Sequence, residues 1–215
     1  MTSIAWCKAP LLSLAVGLWL CGPLPAIAQV PAGMEQLKPY LQVKPVEGEE
    51  ETVRVFFSPS CQFSRNYFQF FNNLEATLPR QKIFKFTPLV NKADGIQFAL
   101  SFIAVQKYYP TYLRNFMEAS FIGAQERGIS TSNWAGIERI GHAAHVPVPV
   151  PRLVAAHATE LERELRAALV RQKLLGITNT PAVSVAGTYI VTPEFTSGDA
   201  ALFSQLVNGL ISMAK

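Results

Sequence analysis

One cysteine, Cys61, is the side chain in this sequence best suited to covalent chemistry. It follows an apolar, β-branched and aromatic run at 53–57, which is typical of a strand, and it precedes a segment whose apolar residues recur at helical spacing. At the start of a helix the first backbone N–H groups have no intrahelical partner, and the helix dipole adds partial positive charge. Both effects favour the thiolate, the nucleophilic form of cysteine. The small or polar neighbours of Cys61 indicate an accessible thiol; a buried and inert cysteine is the alternative.

Ser64 lies three residues after Cys61, which brings it close to the sulfur on the predicted helix. Its hydroxyl could cap the first turn, or it could donate a hydrogen bond to the Cys61 thiolate. A second cysteine at this position would complete a Cys-x-x-Cys motif. Because serine cannot attack a mixed disulfide, the sequence predicts that Cys61 has no resolving partner in its own chain.

The first 28 residues have the character of a signal peptide. Lys8 is their only charged residue, an apolar run follows at 11–20, and Ala26 and Ala28 supply the small-x-small pattern for cleavage after Ala28. An uncleaved membrane anchor is the less favoured alternative, because the apolar run is short and two prolines follow it. We therefore expect a periplasmic protein with no stable membrane insertion after cleavage.

The cysteine count and the net charge narrow the range of possible functions. The chain has three cysteines, three histidines and a net charge of +4. Cys7 and Cys21 leave with the signal peptide, so Cys61 is then alone in an oxidising compartment and cannot form an internal disulfide. The charge is mild and no long lysine or arginine run occurs, which argues against a nucleic-acid partner. The histidines have no further ligands marked around them, so we expect neither a metal nor a cofactor.

The hydrophobic pattern predicts an α/β fold. A strand, a helix and a second strand follow one another within a short stretch, which implies parallel strands and a right-handed crossover. The predicted elements are a short strand at 40–43, a strand at 53–57, a helix at 63–78, a strand at 82–90, a helix-rich region at 93–175, a hairpin of 181–185 with 188–192, and a closing helix around 202–211.

Several local expectations follow from the same pattern. Residues 146–151 alternate valine and proline and are expected to form an extended connector. Residues 130–132 are candidates to cap the helix that follows them. Gly176 is expected to end the charged amphipathic helix that runs to about residue 175. Asp94, at a predicted helix start, is expected to be solvated.

Two segments together resemble the DsbA-like thioredoxin-fold oxidoreductases. Residues 56–64 (FFSPSCQFS) are similar to the active-site segment of that family, where a strand ending in two aromatics leads to Cys-x-x-Cys. Residues 176–182 (GITNTPA) look like the loop that presents a cis-proline beside the active-site cysteine. The helical insert between them also resembles DsbA-like proteins more than plain thioredoxins.

The resemblance implies a central mixed sheet built from a β-α-β half at about 40–92 and a β-β-α half at about 176–215. A helical insertion at about 93–175 then separates them in a single domain of residues 29–215. Carried over to this chain, Cys61 is the nucleophile with Ser64 beside it, and Pro181 is the cis-proline. The resemblance also implies that Thr180, Pro181, Gln62 and Phe63 contact substrate, with Thr180 aligning a peptide strand against the sulfur.

Ser64 departs from the family pattern, and two functions remain open. The first is an exported monothiol disulfide isomerase or reductase acting on cysteine-containing exported proteins or on glutathione. The second is a redox-inactive peptide-binding or assembly factor for envelope, secretion or conjugation proteins. Retention of Cys61 favours the first, and loss of the partner cysteine favours the second.

Overall fold

A computed structural model describes residues 38–214 of the chain. The predicted signal peptide, its cleavage site after Ala28, and both Cys7 and Cys21 lie outside these residues. The elements, in chain order, are β1 (Leu41–Gln42), β2 (Thr52–Phe57), α1 (Gln62–Asn66), α2 (Phe68–Thr77), β3 (Ile83–Pro88), α3 (Gly95–Tyr108), α4 (Leu113–Glu126), α5 (Trp134–Ala143), α6 (Val150–Ala156), α7 (Ala158–Leu174), β4 (Ala182–Val185), β5 (Tyr189–Val191) and α8 (Ala200–Met213), with short 3₁₀ turns at Pro110–Tyr112 and Pro193–Thr196.

The described strands form one five-stranded mixed sheet in the order β1-β5-β4-β2-β3. β2 and β3 run parallel, with Val55 opposite Phe86, as expected for strands joined through a helical crossover. β4 lies antiparallel on the other side of β2, with Val183 opposite Val55. β1 pairs antiparallel with β5 at the far edge. The predicted α/β class, with a central mixed sheet of thioredoxin type and a helical insertion, is therefore confirmed.

β2 is buried on both faces, and its alternating side chains enter two cores. Val53, Val55 and Phe57 belong to the larger core, which includes apolar residues from α2 through α8. Phe56 belongs to a smaller core on the opposite face, with contributions from β4, β5 and the segment after α7. Four of its six residues are apolar (Val53, Val55, Phe56 and Phe57), which is why the sequence marks the strand so clearly.

Phe57 ties the end of β2 to the helical insertion. Its ring packs edge-on against Phe102 of α3 and Phe121 of α4, with centroids 5.2 and 5.9 Å away. Such edge-to-face pairs add to the stabilisation from burial alone. Since Phe57 is the last residue of β2, this packing fixes where the following loop starts.

Arg54 is a charged residue buried within the sheet. Its guanidinium donates to both carboxylate oxygens of Glu49, at 2.9 and 2.6 Å, and to Thr87 Oγ1 at 2.7 Å. Arg171 of α7 approaches the same carboxylate at 3.2 Å. The bidentate pairing and the extra acceptor are what make this buried charge tolerable.

The helix predicted for 63–78 is interrupted. It divides at Tyr67 into α1 and α2, and Leu78 follows as an extended residue before Pro79. Tyr67, Phe71 and Leu74 enter the core as expected, whereas Phe63 is 53% exposed. The Phe63 side chain lies outside the core and borders an open pocket at the start of α1.

Two expectations about the insertion are wrong. Residues 146–151 are not extended throughout, because α6 begins at Val150 with Pro151 in its first turn, where its missing N–H costs no helical hydrogen bond. Residues 130–132 do not cap α5; the cap is Asn133, whose side chain accepts from Gly136 N at 2.8 Å.

The hairpin and the end of α7 follow the prediction. Three residues separate β4 from β5; Ala186 and Gly187 have φ values of 53° and 60°, and Thr188 N closes the turn by donating to Val185 O at 3.1 Å. Gly176 has a φ of 65°, and its N–H and that of Ile177 bond to Lys173 O and Gln172 O at the end of α7. Within residues 38–214 no helix is long and apolar enough to cross a membrane.

Candidate functional site

Cys61 lies against the loop that leads into β4. Its thiol donates a hydrogen bond to the carbonyl oxygen of Thr180, with Sγ and O 3.0 Å apart. The Thr180–Pro181 peptide bond is cis in the structure. Cys61 is half-buried, and Pro181 is buried. The two segments singled out in the sequence thus meet at one sulfur atom.

The helix start around Cys61 differs from the expectation. Cys61 is the N-cap residue of α1, which has only five residues before the interruption at Tyr67. The aligned dipole behind the sulfur is therefore shorter than a helix over 63–78 would supply. The guanidinium of Arg65, one turn after Cys61, binds the carboxylate of Glu126 on α4.

Ser64 has a structural task. Its side chain is 1% exposed, and its Oγ accepts a hydrogen bond from the backbone N–H of Ser58 at 3.2 Å. The hydroxyl thus fastens the loop that leaves β2 to the first turn of α1. Among the described residues, this hydroxyl makes neither a capping bond within α1 nor a bond to the Cys61 sulfur. The hydrogen-bond partner of that sulfur is Thr180 O.

Asp94 organises the loop before Cys61, contrary to the expectation that it is solvated. Its carboxylate is fully buried and accepts five hydrogen bonds, from Ser58 Oγ, Ser60 N, Ser60 Oγ, Asn91 Nδ2 and Thr131 Oγ1. The distances to the two Ser60 donors are both 3.2 Å, and Thr131 lies at 3.1 Å. A buried carboxylate needs such a set of donors to remain stable. The result is a polar cluster that joins three loops directly behind Cys61.

Gln125 provides a second link from the insertion to the same loop. Its side-chain Nε2 donates to Pro59 O at 2.7 Å and to Cys61 O at 3.1 Å. Its Oε1 is buried without a hydrogen-bond partner in the described part of the chain. The residue is at the end of α4, next to Glu126, so the last turn of this helix holds both flanks of Cys61.

A pocket of about 380 Å³ borders Thr180, whose carbonyl oxygen accepts from the Cys61 thiol, although Cys61 itself is not among the residues that line the pocket. Gln62 is exposed and donates to Asn66 at 2.9 Å on the outer side of α1. Phe63, Thr180 and Pro181 border the pocket together, but Gln62 is not among its residues. The remaining walls are Asn179, Thr192, Pro193, Glu194, Ser197 and Gly198.

Tyr67 supports the far rim of the pocket. Its hydroxyl donates to Gly198 O at 3.2 Å. Burial, and then the negative charge of Asp199, raises the pKa of Tyr67 above its ordinary value. The phenol therefore remains a neutral donor to the rim well above neutral pH.

Sequence reasoning missed Asp94, Gln125 and the rim residues. The Asn91-x-x-Asp94 spacing before a helix is a signal for Asp94, because Asn91 Oδ1 accepts from Asp94 N at 2.8 Å in the turn that starts α3. Gln125 gives no such signal, since a glutamine near a helix end is ordinarily solvent-facing.

Solved structures with the same architecture include oxidoreductases named DsbA. DsbA from Xylella fastidiosa matches with a TM-score of 0.65 at 20% identity, over 81% of this chain and 94% of the other. Proteus mirabilis DsbA with a non-covalently bound peptide, PWATCDS, matches at 0.68 and 15%, over 85% and 99%. DsbL from Salmonella enterica serovar Typhimurium matches at 0.59 and 18%, over 82% and 94%. Neither a protein-family model nor a curated protein matches this chain.

At these identities the likeness defines the fold. The chain has a DsbA-like thioredoxin fold, with Cys61 and the cis bond before Pro181 meeting at the end of the sheet. The similar proteins cover nearly their full lengths in the match, so the insertion as well as the sheet belongs to the shared architecture.

Proposed function

We propose that this chain is an exported thiol-disulfide exchange protein acting through a single nucleophilic cysteine, Cys61. The observation that carries the proposal is the 3.0 Å contact between Cys61 Sγ and Thr180 O beside the cis bond to Pro181. It supports the role of Cys61 because a substrate strand that pairs with the backbone of Thr180 places its own cysteine sulfur next to Cys61 Sγ. Ser64 acts as the residue that holds the Cys61 loop.

The proposed reaction is a disulfide exchange. The Cys61 thiol releases its proton to water, and the thiolate attacks one sulfur of a substrate disulfide. The substrate S–S bond breaks, a new S–S bond joins Cys61 to the substrate, and the other substrate sulfur leaves as a thiolate that takes up a proton. When Cys61 ionises, its hydrogen bond to Thr180 O is lost, and that oxygen can then accept from a substrate backbone N–H.

Release of the substrate requires a thiol from outside the chain. In a Cys-x-x-Cys protein the second cysteine attacks the mixed disulfide. Ser64 cannot, so glutathione or a second thiol of the client must do so. This favours isomerase or reductase chemistry on cysteine-containing exported proteins over net oxidation.

We also propose the location and the domain plan that this role requires. Residues 1–28 act as a signal peptide cleaved after Ala28, which delivers the protein to the periplasm. Residues 29–215 then form one thioredoxin-like domain with halves at about 40–92 and 176–215 and the insertion at about 93–175. The pairing of β2 with β4, across the whole insertion, supports this plan.

A second function is favoured by one observation, the structural use of Ser64. If the residue at the second active-site position, Ser64, serves only to anchor the loop, the protein can retain the peptide-binding groove without disulfide exchange. It would then hold envelope, secretion or conjugation components without covalent capture.

Trapping in the native cell separates the two functions. Cells are acidified and alkylated so that mixed disulfides are frozen, and reducible conjugates of the protein are separated by diagonal electrophoresis. Exchange chemistry predicts conjugates for the wild type and none for Cys61→Ala. If both proteins recover the same clients and neither forms a reducible conjugate, the assembly function holds instead.

A further inference from the structure

We propose that Glu194 makes the pocket beside Cys61 selective for client segments carrying lysine or arginine next to their cysteine. This inference rests on the proposed function, because it specifies which disulfides Cys61 receives. It is carried by the charge and the lining of one pocket.

The pocket has an apolar side that suits an aliphatic stem. Phe63, Pro181 and Pro193 line it, and Phe63 is 53% exposed although aromatic. At about 380 Å³ the space accommodates one long side chain. The stems of lysine and arginine bury against such surfaces while their charged ends stay at the polar edge.

The polar edge of the pocket is negative. Glu194 is exposed at the rim, and its hydrogen bond within the described residues comes from Asn179 Nδ2 at 3.4 Å. None of the described residues lining the pocket is a lysine or an arginine. The carboxylate is thus available to a cation that enters from outside.

Thr192 borders the same pocket, but its Oγ1 is buried and has no hydrogen-bond partner among residues 38–214. The charged group that is open to a client side chain is therefore the Glu194 carboxylate. A wholly apolar side chain would fill the space and leave this carboxylate unpaired, and an acidic side chain would be repelled by it.

The pocket also lies where a residue flanking the client cysteine must go. It shares Thr180 with the sulfur contact, because Thr180 lines the pocket while its carbonyl accepts from the Cys61 thiol. A client cysteine bonded to Cys61 therefore places an adjacent side chain within reach of Glu194.

The test uses short peptides that differ only at the residue flanking one cysteine, which is lysine, norleucine or glutamate. The cysteine carries thionitrobenzoate in a mixed disulfide. Attack by Cys61 breaks this S–S bond, forms the Cys61–peptide disulfide and releases coloured thionitrobenzoate, so the absorbance gives the rate. At low ionic strength we expect the wild type to react about threefold faster with the lysine peptide than with norleucine, and more slowly with glutamate.

Matched variants identify the source of any preference. Glu194→Gln should react equally with the lysine and norleucine peptides, whereas Glu138→Gln, an equal charge change on exposed α5, should keep the preference. Equal rates in the wild type, or a preference that survives Glu194→Gln, would overturn the inference. In that case a Cys61-dependent reaction with the norleucine peptide would leave the proposed function intact. No release from any peptide overturns both.

Discussion

The Cys61 sulfur and the Thr180 carbonyl oxygen lie 3.0 Å apart although 119 residues separate them in the sequence. The sheet makes this contact possible, because β2 and β4 are neighbours and the loops at their ends meet. The helical insertion then holds the Cys61 side of the contact through Asp94, Gln125 and Thr131. The insertion is thus part of the site and does more than cover the sheet.

The Asp94 cluster predicts a large loss of stability when its acceptor is removed. Asp94→Ala leaves the buried hydroxyls of Ser58 and Thr131 without this acceptor, so we expect about 3 kcal/mol of destabilisation in urea unfolding. Asp94→Asn keeps one carbonyl acceptor and should lose less. The control is Glu138→Ala on the exposed face of α5, which should change stability by less than about 0.5 kcal/mol. Equal effects of Asp94→Ala and the control would mean that the cluster does not hold the loop.

Gln125→Ala should loosen the loop before Cys61 with a smaller global effect. Pro59 O loses its side-chain donor and Cys61 O keeps only the Arg65 N–H, so we expect a loss of about 1 kcal/mol and faster hydrogen exchange in residues 59–61. Gln69→Ala is the matched control, because Gln69 is exposed and donates only to Asn73 on the described surface. Unchanged exchange at 59–61 in Gln125→Ala would contradict the link from α4.

Ser64→Cys should convert the site to a dithiol. The new thiol lies three positions after Cys61, in the first turn of α1, so oxidation should close an internal disulfide and consume both free thiols. The variant should then oxidise a reduced model protein, and its mixed disulfides should be short-lived. Ser64→Ala separates the structural role, since it leaves Ser58 N–H without its acceptor and should cost about 1–2 kcal/mol. Failure of Ser64→Cys to form the disulfide would mean that the two side chains do not face each other.

Glu49→Ala should be among the most destabilising single changes in the sheet. It leaves the Arg54 guanidinium buried without its carboxylate, which typically costs about 3–5 kcal/mol. Glu162→Ala is the comparison, because the pair of Glu162 with Arg166 is exposed on α7 and should contribute less than about 1 kcal/mol. Thermal or urea unfolding of the two variants measures the difference directly. Similar values would show that Arg54 finds another partner.

The sequence predicted the elements whose signals are local. β2 is marked by a compact β-branched and aromatic run, and the β4–β5 hairpin by Ala186-Gly187 between two apolar runs. The position of Cys61 after β2 followed from the same run. These features depend on residues a few positions apart, so the pattern of a single sequence is enough to predict them.

The features that were missed depend on partners far away in the chain. Asp94 looks solvated in sequence because its five donors come from three separate loops. Phe63 fits the apolar period of its helix, yet the pocket at the start of α1 removes it from the core. Val150 and Pro151 belong to α6, because a proline is compatible with the first turn of a helix. In the sequence, the alternation of valine and proline resembles an extended segment and conceals this helix start.

Reaction of the reduced folded protein with glutathione disulfide tests whether Cys61 is a working nucleophile without a resolving partner. Intact-mass spectrometry follows the glutathione adduct, with Cys61→Ala as the control and the urea-unfolded protein as the reference for an unshielded thiol. We expect one adduct on wild-type protein, none on Cys61→Ala, and persistence of the adduct after removal of glutathione disulfide until an added thiol releases it. An adduct that forms only in urea would contradict an accessible nucleophile, and one that resolves without added thiol would contradict the absence of a resolving partner.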